Sequence, residues 1–211
     1  MKLYYSPGAC SLAAHVLLQQ VKEKTGRAFD AERVDLAGGA QYQAQFLKLN
    51  PKSKVPTLER DDGSILTESP AIAWWIASSA PGAGLMPDSA DGVARSLETL
   101  NFVSGTVHNG GYTRIFRAER FVGDPSHADA AKQKATADTK GFLEKLDASL
   151  GGRDFVAGGT FGFADPLVYV MARWTGRAGF ELAGLPNLKA HHDRVAAMPA
   201  TKAALATEGL S

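Results

Sequence analysis

The sequence predicts a mixed α/β amino-terminal domain over residues 1–80, followed by an all-helical carboxy-terminal domain over residues 88–211. Three observations carry this. Strand-like and helical segments alternate up to residue 80. The run Ala80-Pro81-Gly82-Ala83-Gly84 then breaks the composition as a linker would. Beyond it the periodic segments have helical spacing, with no convincing strand.

The elements follow in order. Lys2 to Tyr5 is a strand candidate, ended by the turn cluster Ser6-Pro7-Gly8. From Ser11 the pattern becomes helical, with Ala13, Val16, Leu17 and Val21 on one face and Gly26 as a stop. Phe29 to Leu36 alternates weakly and gives a second strand. Gln41 to Leu49 reads as a short helix closed by Asn50-Pro51. Thr57 to Arg60 and Ser64 to Thr67 flank Asp61-Asp62-Gly63 as a β-hairpin, the glycine supplying the positive φ of such turns. Ser69-Pro70 opens another helix, with serine as N-cap and proline at the first helical position. This β-α-β-α-β-β-α order is the thioredoxin-type order. In the second domain helices are expected over 92–121, 127–150, 164–176, 188–198 and 199–207, with Gly110-Gly111 kinking or bulging the first.

Composition narrows the function classes. With 45% hydrophobic residues, 21% charged residues and a net charge of +1, the chain is an ordinary globular protein. Phosphate contacts need a basic stripe, and the one local enrichment, Arg114, Arg117 and Arg120, is too short to supply it; nucleic acid is excluded as a partner. The single cysteine, Cys10, excludes an intramolecular disulfide framework and a cysteine-rich metal site, so no metal is expected. No signal peptide and no membrane-spanning run is read, which makes a reducing, cytoplasmic setting the expectation.

Three local arrangements can carry chemistry. Cys10 sits where the first strand passes into the first helix. Unpaired N–H groups and the positive end of the helix dipole there favour thiolate, so the pKa of Cys10, or of a bound substrate thiol, is expected to fall, with Ser11 able to donate a further hydrogen bond. A lone cysteine is also read as a small buried hydrophobe. Val55-Pro56 opens a strand; a cis bond there would turn the N–H and C=O of Val55 toward the helix N-terminus, where an extended peptide can pair with them. Proline starting an edge strand is the plainer reading. Thr67-Glu68-Ser69-Pro70 puts free N–H groups and the Ser69 hydroxyl beside a carboxylate. That pairing of an anion site with a cation site suits the α-amino acid end of a γ-glutamyl group, although a capped helix beside a solvated glutamate reads equally well.

Together these motifs resemble the bacterial beta-class (cysteine-type) glutathione transferases. The resemblance covers Met1 to Leu18 with its Pro7-Gly8-Ala9-Cys10-Ser11-Leu12-Ala13 core, Asn50 to Leu58, and Asp61 to Ile72. It continues through Leu100-Asn101-Phe102, His108, Phe116-Arg117, Ala164-Asp165 and the closing Ala206 to Leu210. It implies the glutathione transferase fold and a homodimer active in detoxification, with glutathione as co-substrate. By this resemblance Cys10, Ser11 and His108 are the catalytic residues. Val55, beside cis Pro56, meets the cysteinyl part of glutathione, while Glu68 and Ser69 hold its γ-glutamyl end. Asn101, Thr106 and His108 are the second domain's contribution, some of it reaching the other subunit. Spacing independently puts Asn101, Gly105 and His108 on one helical face.

The sequence departs from the family pattern at three points. Ala37-Gly38-Gly39-Ala40 stands where a lysine usually meets the glycyl carboxylate, and Asn109 replaces the lysine that usually follows the histidine. Gly162 takes the N-cap place before Asp165, which is read as structural. The expected reaction is attack of the glutathione thiolate on an electrophile, in a cleft walled by Tyr112, Phe116 and Trp174. The alternatives are glutathione-dependent thiol–disulfide exchange or deglutathionylation through Cys10 and, in a different class, a non-catalytic binding or interaction module.

Overall fold

A computed structural model describes residues 1–210. Strand β1 (Lys2–Tyr5) is central in a four-stranded sheet of order β2-β1-β3-β4. Its parallel neighbour is β2 (Asp30–Arg33), in register Leu3 with Ala31, and its antiparallel neighbour is β3 (Thr57–Glu59), in register Leu3 with Leu58. β4 (Ile65–Thr67) completes the hairpin with β3, and Gly63 in the turn has a φ of +79°. β2 is shorter than its alternation suggested. All four of its residues are exposed and three are charged, as suits an edge strand that must not pair further.

Three helices pack on this sheet: α1 (Leu12–Thr25), α2 (Ala44–Leu49) and α3 (Ser69–Ser79). The expected helix over 41–49 is split, because Gln43 is extended (ψ 145°) between a 3₁₀ turn and α2. The start of α3 also differs. Ser69 is its first residue and Pro70 its second; Glu68 holds the N-cap place with φ +73°, and no side chain caps the helix. Proline's fixed φ and missing N–H suit either of the first two helical positions, so the sequence placed the start of the helix one residue late.

The helical part holds α4 (Ala90–Asn101), α5 (Thr113–Phe116), α6 (Ala128–Ser149), α7 (Asp165–Arg173), α8 (Pro186–Ala196) and α9 (Pro199–Glu208). Between α4 and α5 the chain stays helical. It widens into a π-helix over Phe102–Tyr112, so the expected bulge extends over a whole segment. Gly111 lets this segment close on α6: a Cβ there would lie 2.7 Å from the Thr139 hydroxyl.

α1 shows what packing adds to pattern. Its periodicity marks one apolar face, yet Leu12 through Leu18 are buried without a break. The sheet and α3 cover one side, and α7 and α9 cover the other. The small or polar residues opposite the apolar stripe, Ala14 and His15 among them, are the surface on which the helical part docks.

Candidate active site

The turn between β1 and α1 carries Cys10 and is held from both parts of the molecule. Ser11 is fully buried; its hydroxyl accepts from the Ser6 N–H (3.1 Å) and donates to the Ser6 carbonyl (3.3 Å). The expectation that Ser11 donates to a bound thiol does not fit, because its one proton already closes the turn. Gly8, with φ +68°, is gripped by the helical part: its N–H donates to Glu208 Oε2 (2.8 Å), and its carbonyl accepts from Trp174 Nε1 (3.0 Å). Only a glycine takes this φ without strain. Glu208 also accepts, at Oε1, from His15 Nδ1 on α1 (2.9 Å), and both side chains are wholly enclosed.

Cys10 is buried and donates its S–H to the Val55 carbonyl across 3.4 Å. Its pKa does not fall. Enclosure of the sulfur pushes the thiol up from 9.0 to about 11, despite the amides of Cys10 and Ser11, the Ser69 hydroxyl and the Lys54 charge, all of which favour the thiolate. The helix-terminus argument was sound in sign; desolvation is the larger effect for a sulfur shut away from water. The Val55-Pro56 peptide is cis, as the resemblance implies, and the Val55 N–H donates to no backbone carbonyl among the described residues. Neither do the amides of Cys10 and Ser11.

Two cavities meet at this sulfur. The smaller, about 50 Å³, is lined by Cys10, Val55, Pro56, Glu68, Ser69 and His108, with Lys52, Lys54, Ser104 and Asn109 around them. It therefore joins five positions singled out in the first domain with one from the second. Glu68 accepts from Lys52 Nζ at 2.7 Å, and Lys52 also donates to the Thr67 hydroxyl at 2.9 Å. The carboxylate expected to wait for an ammonium thus already has one beside it. The larger cavity, about 430 Å³, lies between the two parts of the chain and is lined by Cys10, His108, Phe116 and Trp174, among others.

His108 belongs to both cavities, with its ring 5.2 Å from that of Trp174. Burial, with a smaller push from the Lys54 charge, lowers its pKa from 6.5 to about 4, so the imidazole is neutral near pH 7 and carries one N–H. Asn101 and Thr106 line neither cavity, and the Asn101 amide donates back to the Leu97 carbonyl (2.9 Å). Ser104, His108 and Asn109 of the π-helix face the smaller cavity instead. Tyr112 is not a wall of the cleft either. It is fully buried, with its hydroxyl donating to the Met171 carbonyl (2.9 Å), and burial raises its pKa above the ordinary tyrosine value.

Asp165 is structural in its contacts. Buried at the head of α7, it accepts from the Val156 N–H (2.8 Å), the Gly162 N–H (2.7 Å) and His191 Nε2 (2.7 Å). Ala164 rather than Gly162 holds the formal cap place, though Gly162 still bonds Asp165 reciprocally, its carbonyl accepting from the Asp165 N–H. Among the described residues there is no cluster of three potential metal ligands, and no helix is long and apolar enough to cross a membrane.

Sequence reasoning passed over Lys52, Lys54 and Ser104 as site residues, and gave Glu208 and His15 no role. For His15 a signal existed: a titratable side chain inside an otherwise apolar helical run. For Glu208 none did, because its partners lie far away in sequence.

A thioredoxin-type sheet, a helical partner and a thiol at the head of the first helix define a two-domain protein built around one sulfur. Comparison with known proteins supplies the family. The model of the glutathione S-transferase amino-terminal domain matches residues 20–79, and that of the carboxy-terminal domain matches residues 112–199. Glutathione S-transferase GstA of Escherichia coli O157:H7 is 33% identical, with all of both chains aligned. A sphingomonad glutathione S-transferase solved in complex with glutathione is 39% identical, with a TM-score of 0.85 over the whole of both chains. The beta-class glutathione S-transferase of Sphingomonas chungbukensis is 38% identical, with a TM-score of 0.83 and equal coverage. The chain belongs to the glutathione S-transferase family, in the company of its bacterial beta class.

Proposed function

We propose that glutathione binds with its γ-glutamyl end in the smaller cavity and its cysteinyl part where the two cavities meet, and that its thiolate attacks an electrophile held in the larger one. The observation that carries this reading is the pair Cys10 and His108. Both line both cavities and both are neutral near pH 7; His108 has an N–H to donate, and Cys10 can donate its S–H by turning it from the Val55 carbonyl to the incoming sulfur. Two neutral donors favour a bound thiolate over the thiol. Bringing a thiol from a pKa of ~9 toward neutrality raises its thiolate fraction at pH 7 by one to two orders of magnitude. Val55 offers its N–H to the extended tripeptide, and Glu68 and Ser69 receive the γ-glutamyl end, with Lys52 yielding part of the Glu68 carboxylate to the incoming ammonium.

In this reading Cys10 assists as a hydrogen-bond donor. A thiol pushed to about 11 is a poor attacking group at neutral pH, which weighs against exchange through Cys10 as the main activity. Asn101 and Thr106, outside both cavities of their own chain, are assigned to the cleft of a second copy in a homodimer. The reducing cytoplasm suits the single unpaired thiol.

The test is calorimetric titration with glutathione, followed by two assays on one preparation: conjugation of chlorodinitrobenzene and reduction of a glutathione mixed disulfide. Conjugation should dominate and survive in Cys10→Ala, sustained by His108 instead of Ser11, while His108→Ala loses about 10²-fold in kcat. No heat of binding at millimolar glutathione would sink the proposal. Disulfide reduction that dominates and vanishes with Cys10 would replace it with the exchange reading.

A further inference from the structure

The larger cavity has a charge pattern that conjugation as such does not require. Four cationic side chains line it, Lys54, Arg117, Arg120 and Arg177, and no Asp or Glu does. Lys54 is shared with the smaller cavity and belongs to the glutathione side. The three arginines stand on the helical side. Arg117 and Arg120 follow α5, whereas Arg177 comes from the turn after α7, so the fold converges them from distant stretches of sequence. Among the described residues neither Arg117 nor Arg177 is within ion-pair distance of a carboxylate, and the nearest to Arg120 is its neighbour Glu119 at 4.0 Å. Arg177 instead lies over the Phe116 ring, its guanidinium carbon 4.4 Å from the ring centroid. Phe116 in turn meets Trp174 edge-on at 5.9 Å. The cleft thus joins an aromatic wall, in which Phe116 is stacked on Tyr112 at 5.8 Å, to a cluster of guanidiniums.

Uncompensated positive charge around a concave mouth focuses field and raises the local concentration of anions. Guanidinium is the group best matched to a planar carboxylate. We infer that the electrophile is an anion: an aromatic compound carrying a carboxylate, with its ring beside Trp174, its carboxylate among Arg117, Arg120 and Arg177, and its reactive carbon turned toward Cys10 and His108. This rests on the proposed conjugating role and adds the substrate class to it. In the reaction the glutathione sulfur forms a bond to the ring carbon, a halide leaves with its bonding pair, and the thiol proton passes to solvent. No oxidant or reductant is involved.

Preformed conjugates test this without depending on turnover. Glutathione conjugates of chlorodinitrobenzoate and of chlorodinitrobenzamide differ in one charge and almost nothing in shape. Each is titrated into the protein calorimetrically, as is glutathione alone, at low and at ~0.2 M salt. Exposed ion pairs contribute a few-fold each, so the three arginines together should favour the carboxylate by about tenfold at low salt. The preference should shrink with added salt and fall to within about twofold of unity in the Arg117→Gln, Arg177→Gln double variant. Equal affinities in the unaltered protein overturn the anionic substrate but leave conjugation standing. An unchanged ratio in the double variant, with glutathione itself bound more weakly, also overturns it, because the arginines would then serve the glycyl carboxylate. Failure of both conjugates and of glutathione to bind removes both readings.

Discussion

Cys10 is the only thiol in the chain, so any thiol-specific reagent reports on it alone. Enclosure raises its pKa from 9.0 to about 11. Two units correspond to about 2.7 kcal/mol of added cost for ionising the sulfur where it sits. At pH 8 the thiolate fraction drops from roughly one in ten to roughly one in a thousand, about a hundredfold. The assay is the second-order rate of alkylation by iodoacetamide, followed by mass from pH 6 to 11. The rate should climb tenfold per pH unit throughout pH 7–10, about a hundredfold below that of a free thiol of ordinary pKa up to pH 8 and about tenfold below it at pH 10. The same shift has a stability signature. A raised folded-state pKa favours the native state fully below pH 9 and is lost as pH rises from there through about 11. The unfolding free energy of the protein minus that of Cys10→Ala should therefore decline by about 2.7 kcal/mol over that window. An alkylation profile that levels off below pH 8.5 would refute the reasoning, since it would mean that the amides and Lys54 outweigh burial.

The other predictions concern groups around that sulfur. His108 is depressed from 6.5 to about 4 by burial, so its contribution to stability is present above pH 6.5 and is lost as pH falls toward 4. His108→Gln should remove up to about 3 kcal/mol of that acid sensitivity, read from urea midpoints across pH 4–7. Glu208→Ala strands the buried His15 Nδ1 and the Gly8 N–H, at a cost of about 3 kcal/mol or more. Calorimetry should show a Tm lower by about 6–12 °C, and the KM for glutathione should rise because the Cys10 turn loses an anchor. Gly111→Ala brings a methyl to 2.7 Å from the Thr139 hydroxyl and should cost about 1–3 kcal/mol. Adding Thr139→Ala should recover part of that loss, and strict additivity of the two denaturation shifts would contradict the close approach.

Much of the fold was legible because its signals are local. Pro7-Gly8, Gly26, Asp62-Gly63 and Pro70 punctuate the first domain where the backbone turns, and strict spacing separates strands from helices. The same locality made Cys10, Val55, Glu68 and Ser69 recognisable, since each sits at the end of an element whose identity could be read. His108 needed the family resemblance, and the π-helix around it left no periodicity to read, because a change from i+4 to i+5 bonding moves a face without changing a residue.

The sequence by itself determined the order of elements, the lone sulfur at the head of a helix, the Val55-Pro56 pair opening a strand and the acid–serine pair at a later helix. Tertiary structure alone decided the state of that sulfur, because desolvation depends on what covers a group and α1 shows only one of its covered faces in its pattern. It also decided that Ser11 closes a turn, that Glu208 and Trp174 hold Gly8, and that Arg177 joins Arg117 and Arg120 at one rim. The two contacts to Gly8 join residues 200 and 166 positions apart in the chain. Such contacts are set by how two domains dock, and docking leaves no period in a sequence.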